Sequence, residues 1–294
     1  NRGNHGDQYD NNKVLADIVR LRADRAKLLG YRTHADIVLE TRMAKTPGNV
    51  LNLLNDLLER SLVVAKRERD EMQKIADAEG GGFKIEPQDW WYYSEKLRKE
   101  KYDLDENELR PYFSLDNARD GAFAVATKLY GITFTRMNDV PLPHPEAQAF
   151  EVKEADGSHV GVLYMDFYPR ESKRQGAWCG GYRDHQVVDG KEITPVVTIV
   201  GNFTPPAGDK PALLSMDDVL TLFHEFGHGL QGLFSENIYS STTVAWDIVE
   251  LPSQIMEHWA TQPEVLAMYA KHYETGEVIP QTLVEKIKNS SYFN

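Results

Sequence analysis

Thr221-Leu222-Phe223-His224-Glu225-Phe226-Gly227-His228 places two histidines four residues apart, with a glutamate beside the first. On an α-helix, positions i and i+4 lie one above the other on one face. His224 and His228 can therefore direct two imidazoles at one point. Glu225 lies about 100° further round the helix. From there its carboxylate can reach a water on a metal without itself being a ligand. Zinc takes imidazole readily, and a catalytic zinc keeps one coordination position for water. H-E-x-x-H on a helix thus reads as two zinc ligands and the general base of a peptide hydrolase.

The flanking residues supply the helix. Ser215 before Met216-Asp217-Asp218 reads as an N-cap with acidic residues in the first turn. Val219, Leu222, Phe223, Phe226, Leu230 and Leu233 recur at helical spacing as a core stripe, with the histidines beside it. Gly227, Gly229 and Gly232 each cost up to about 1 kcal/mol in a helix relative to alanine. Close packing of a returning helix is a motive for keeping them.

Two histidines leave a catalytic zinc site short of one protein ligand. Glu236, Asp247, Glu250, Glu257 and His258 follow the motif, and four of them lie on a helix-like segment from Asp247 to Gln262. Glu250 is 22 residues beyond His228, far enough for a turn and an antiparallel return. Asp247-Ile248-Val249-Glu250 also has capping-box spacing, so this glutamate could instead hold a helix start. Spacing leaves the two roles open. Pro252 must sit in a first turn or kink the helix.

The bulk numbers bound the class. With 294 residues, 41% of them hydrophobic, the chain can build a substantial core. A net charge of −12 argues against nucleic-acid binding, which needs basic surface. The single cysteine, Cys179, excludes an internal disulfide framework and fits a reducing compartment. No apolar run is long enough to span a bilayer, so no membrane contact is expected; a cytoplasmic location is expected, with room for a targeting segment ahead of Asn1. A monomer is expected. The first residue is Asn1 rather than Met, and the chain ends straight after a helical segment, so it reads as a central fragment.

Periodicity predicts helices over 13–29 (core face Val14, Ile18, Leu21 and Leu28), 33–44, 47–79, from Pro87 onward, and 116–130. Charges from Lys66 to Asp77 read as a solvated helix face, and Trp90-Trp91-Tyr92-Tyr93 as core or the lining of a peptide groove. Strands follow at 132–134, 150–153, 159–167 and 193–203, with Asp156-Gly157 as a hairpin turn. Residues 169–186 read as a mobile loop or a strand bordering a cleft. The expected fold is mainly α within the α+β class, a helical zincin-type unit with a small sheet beside the H-E-x-x-H helix. It comprises helical residues 1–131, sheet residues 132–204 and zinc-binding helices 205–294.

The motif run and Val249-Glu250-Leu251-Pro252-Ser253-Gln254-Ile255-Met256-Glu257-His258-Trp259-Ala260 resemble the thimet oligopeptidase family of zinc metallopeptidases, in particular its bacterial dipeptidyl carboxypeptidase and oligopeptidase A branch. Met43-Ala44-Lys45-Thr46-Pro47, Leu109-Arg110-Pro111-Tyr112-Phe113, Gly161-Val162-Leu163-Tyr164-Met165-Asp166 and Gly176-Ala177-Trp178 support it. The resemblance implies one Zn2+ held by His224, His228 and Glu250, with Glu225 as general base. It implies short peptides as substrates, cleaved in a channel that excludes folded proteins. Family enzymes are roughly twice this size, and their C-terminal region supplies tyrosine and histidine side chains to substrate and oxyanion. The chain departs from the pattern at Gln231, where a histidine is common, at Trp246, where an arginine is common, and in a shortened segment from Ser235 to Ala245.

The expected activity is hydrolysis of short oligopeptides by a zinc-bound water, with peptidyl-dipeptidase action as one variant. The run Val196 to Phe203 is expected to pair with an extended peptide as an added strand. The competing class is a zinc- or peptide-binding module without turnover, or a helical scaffold in which the histidines are core side chains.

Overall fold

A computed structural model describes residues 3–103, 105–239 and 244–290. The chain divides into two compact units, Asn1–Tyr93 and Ser94–Asn294. That boundary falls inside residues 1–131, the stretch expected to form one helical region.

The first unit holds α1 (Asn12–Leu28), α2 (His34–Leu39) and α3 (Pro47–Ala78). Thr33 and Asp36 form a reciprocal capping box at the start of α2, which stops at Leu39, short of the predicted Ala44. Thr46 caps α3, with Pro47 in its first turn, where a missing N–H costs nothing. The predicted core face of α1 is a correction. Val14, Ile18, Leu21 and Leu28 are exposed, and Ala26 is the buried residue of that helix. The apolar spacing made the helix, but among the described residues nothing covers that face. Along the charged stretch Glu68 is buried, whereas Lys66, Arg67, Arg69, Asp70, Lys74 and Asp77 are exposed. Of the aromatic run, Tyr93 is buried while Trp91 and Tyr92 face outward.

The second unit carries the sheet and the motif helix. Its elements follow α4 (Trp90–Tyr102), α5 (Glu106–Leu109) and a 3-10 turn Arg110–Tyr112. Ser114 caps α6 (Leu115–Tyr130), and Gly131, at φ 79°, closes it in the left-handed conformation that glycine adopts without strain. Then come β1 (Thr133–Met137), β2 (Gln148–Lys153), β3 (His159–Asp166), β4 (Trp178–Arg183), β5 (Gln186–Val188), β6 (Lys191–Ile193) and β7 (Val196–Val200). The spatial order is β1-β2-β3-β7-β4, with β5-β6 a separate hairpin. β3 and β7 run parallel; the other neighbours in the sheet are antiparallel.

β7 lies between β3 and β4, so both of its edges are paired. That corrects the expectation that Val196 to Phe203 adds a peptide strand. Among the described residues the free edge at that end belongs to β4, within the 169–186 stretch that reads as either loop or cleft strand. The sequence hid this because β4 contains two adjacent glycines, Gly180 and Gly181, and little apolar alternation.

α7 (Met216–Leu233) lies on the sheet, followed by α8 (Leu251–Ala260), α9 (Pro263–Tyr269) and α10 (Gln281–Ser290). Leu163, Met165, Val197 and Ile199 of the sheet share one core with Phe223, Phe226 and Leu230 of α7 and with Met256 and Ala260 of α8. α8 begins at Leu251, not Asp247, with Pro252 in its first turn and no kink required. Mainly helical with a small mixed sheet is therefore the observed class. No helix among the described residues is long and apolar enough to cross a membrane.

Candidate metal centre

α7 starts where its chemistry demands. Ser215 Oγ accepts from Asp218 N at 3.0 Å, and Asp218 Oδ2 accepts from Ser215 N at 2.9 Å, closing the capping box. From that start the 3.6-residue period turns Val219, Leu222, Phe223, Phe226 and Leu230 into the core and His224 and His228 beside it. The two imidazole centroids lie 4.9 Å apart with planes 82° to one another.

Glu250 comes to them from α8. Its Oε2 is 3.3 Å from His224 Nε2 and 3.1 Å from His228 Nε2. Zinc bonds of about 2.0–2.2 Å in tetrahedral geometry set ligand atoms roughly 3.3–3.5 Å apart. Donor set and spacing therefore fit a zinc-sized cation. Among the described residues, His224, His228 and Glu250 form a group able to hold a metal ion, their donor atoms within 4.8 Å of one another. Glu250 stands at the N-cap of α8 with φ −86° and ψ −3°, and its side chain caps nothing. The capping-box alternative for Asp247 and Glu250 is not realised, because the helix starts too late.

Two of the other candidates, Glu257 and His258, have other partners. Glu257 Oε1 lies 2.5 Å from His224 Nδ1, which leaves Nε2 of that ring free for a metal. Seven residues separate Glu250 from Glu257, two helical turns, so both face α7. That spacing was available in the sequence as a sign of pairing. His258 contacts Gln262, the residue that precedes α9. Ser253, fully buried, donates to Glu250 Oε2 or its carbonyl at 2.9 Å. This hydrogen bond, ahead of the nearby His228 and His224, holds the Glu250 carboxyl below its usual range.

Glu225 is 8% exposed, one residue from the first histidine. Burial pushes its carboxyl up, helped by the charge of Glu250; His224 and a hydrogen bond from the Cys179 backbone N–H pull the other way. A general base gains from a pKa raised toward neutrality. Burial lowers the pKa of His228, favouring the neutral imidazole that a metal needs. Burial, then the neighbouring Glu225, pushes the Cys179 thiol up to about 12. Burial thus favours the protonated thiol at Cys179.

The triad opens into a cavity of about 720 Å3 bordered by β4 and by the segment leading to Glu250. Trp178, Cys179 and Gly180 form one wall; Gln231, Trp246 and Val249 lie on it too. Trp246 is 74% exposed. Of the shortened segment Ser235 to Ala245, residues 240–243 lie outside the described residues. The backbone donor of Cys179 carries no sequence signal, and neither does the position of β4.

The chain matches Peptidase family M3 over residues 1–294. It is 40% identical over 297 residues to a dipeptidyl carboxypeptidase of Escherichia coli (strain K12), covering 100% of this chain and 43% of that protein. An oligopeptidase A of the same organism is 40% identical over 293 residues, covering 97% and 43%. Saccharolysin of Saccharomyces cerevisiae is 30% identical over 303 residues, with the same coverage of 97% and 43%. The chain thus spans less than half the length of these relatives.

Proposed function

The chain belongs to Peptidase family M3, and on that premise we propose that it is the metal-and-base portion of a zinc metallopeptidase acting on short peptides. The observation that carries this reading is the convergence of His224 Nε2, His228 Nε2 and Glu250 Oε2 beside a buried Glu225. His224, His228 and Glu250 hold the zinc. When bound there, zinc supplies Lewis-acid chemistry, lowering the pKa of a coordinated water and polarising a carbonyl. Glu225 takes the proton of the attacking water and hands it to the leaving amine. Glu257 keeps the His224 ring oriented, and Ser253 keeps Glu250 ionised. The free edge of β4 receives the substrate backbone as an added strand.

Glu225→Gln, made in a full-length parent that carries this segment, tests this assignment. It removes the base but no ligand, so zinc content stays at the parent level while hydrolysis of a quenched fluorescent peptide falls at least about 100-fold, the usual worth of a general base. Hydrolysis at the parent rate would refute the role of Glu225.

The choice between internal cleavage and release of C-terminal dipeptides rests on experiment, because the identity to a dipeptidyl carboxypeptidase equals that to an oligopeptidase A. Amidation of the substrate C-terminus abolishes cleavage by the former class and spares the latter. A second reading follows from the 43% coverage of the relatives: taken alone, this chain binds zinc with little turnover. Efficient peptide cleavage by the chain alone would contradict that reading. A cytoplasmic location and a monomeric state belong to the same proposal, and fractionation and light scattering test them.

A further inference from the structure

The segment between β3 and β4 is tied at several points. At the end of β3, Asp166 receives Arg170 through two hydrogen bonds of 2.9 and 2.7 Å. Lys173 Nζ reaches Asp166 Oδ1 at 3.0 Å and the carbonyls of Asp166 and Tyr168, both at 2.8 Å. The Lys173 side chain is 2% exposed, so its three donors are spent inside the protein. Further along, Asn202 Nδ2 donates to Arg174 O at 2.7 Å and to Gly176 O at 2.6 Å. Gly176, at φ +89°, makes the turn into β4.

Asn202 is two residues past the end of β7, and the first β4–β7 pair is Trp178 with Val200. The Asn202 amide therefore grips the incoming chain immediately before the ladder begins. The next strand residues, Cys179 and Gly180, line the cavity that holds His224, Glu225 and His228. Among the described residues β4 has a strand neighbour on one side alone, and it carries Gly180 and Gly181, residues that hold a strand weakly. Its register must be fixed from its ends, because a one-residue slip would turn every backbone donor and side chain to the opposite direction.

We propose that Asn202 is a positioning residue for the candidate active site: through the carbonyls of Arg174 and Gly176 it fixes the start of β4, and with it the cavity wall at Cys179 and Gly180 and the strand edge offered to a peptide. The Asp166–Arg170–Lys173 cluster anchors the other end of the same strap. Asn202 touches neither substrate nor metal ligands; it acts through β4. This inference rests on the metallopeptidase reading for its functional half, and on hydrogen bonding alone for its structural half.

Asn202→Ala and Asn202→Asp test it, the second keeping the shape while exchanging the amide donors for oxygens that face two carbonyls. Amide hydrogen exchange is measured by mass spectrometry in the zinc-loaded chain. Zinc content and the affinity for a fluorescent peptide with a reduced, uncleavable central bond are measured alongside. Both variants are expected to exchange at least tenfold faster across 176–183 with α6 and α7 unchanged, to keep parental zinc content, and to bind the peptide about tenfold more weakly. Unchanged exchange across 176–183 overturns the positioning role, and so does acceleration spread evenly over the chain, which marks general destabilisation. Faster exchange with undiminished peptide affinity overturns its functional half. A parent chain that takes up no zinc overturns the metallopeptidase reading itself, and the exchange pattern still decides the structural half.

Discussion

Glu257 illustrates how one side chain changes meaning between sequence and fold. In the sequence it is one of several acidic residues after the motif, each able to complete a zinc site. In the structure its carboxylate takes His224 Nδ1, and Glu250 takes the position facing both Nε2 atoms. Partners of this kind fix the ligating nitrogen, and their loss lowers metal affinity by about 10–100-fold. Glu257→Ala is therefore expected to weaken zinc binding by that factor in competition with a chelator while leaving the fold intact; unchanged affinity would remove the orienting role. His224, Glu225 and His228 were legible because their chemistry is local, set by an i, i+4 spacing. Glu250 was only one of several residues that spacing allowed. The place of Cys179 beside Glu225 in the cavity was invisible, because pairing with β7 decides where β4 lies.

At the scale of elements, α7 and α8 meet where glycine permits it. A Cβ built at Gly227 would lie 2.6 Å from Ser253 Cα and against the Pro252 carbonyl. Both are backbone atoms that cannot swing aside. Gly229 and Gly232 instead face Ile199 and Val197 of β7, so the return-helix motive holds for Gly227 and the other two serve the sheet. Gly227→Ala forces α8 outward and carries Glu250 with it. Overpacking of this kind costs about 1–3 kcal/mol, and urea denaturation should register it together with weaker zinc binding. A variant as stable as the parent would contradict the close approach. The capped helices and the Asp156-Gly157 turn were legible because capping and turn chemistry are local. β4 was not, because its place is decided by β7, and the start of α8 reads too early in the sequence because acidic spacing mimics a cap.

Taken whole, the second unit is built around one core and carries the Asp166–Arg170–Lys173 charge cluster at the end of β3, whereas the first exposes Leu51, Leu54, Leu58 and Leu62 along α3. Those spacings announced helices, but which surfaces stay open depends on what else packs, and no periodicity encodes that. The charge cluster sets an acid limit. Burial opposes ionisation of Asp166, yet hydrogen bonds from Arg170 and Lys173 outweigh it and hold the carboxyl below its usual range. For Lys173 burial outweighs the help of Asp166, so its ammonium is held below the ordinary lysine value. A carboxyl with a depressed folded pKa contributes stability above its unfolded value of about 3.9 and loses it as pH falls through the folded value. Asp166→Asn leaves the Lys173 charge buried without its counter-ion, at a cost of about 3 kcal/mol near neutral pH. The gap from the parent should hold down to about pH 4 and close below it; a pH-independent gap would show that Asp166 acts by shape, not charge.

The most direct test of the whole account is zinc stoichiometry by elemental analysis after dialysis near neutral pH, for the parent chain and for Glu250→Ala. The account predicts about one zinc per parent chain, as for three protein ligands and a water, and nearly none in the variant. A parent without zinc, or a variant that retains all of it, would contradict the assignment of His224, His228 and Glu250 as one metal centre.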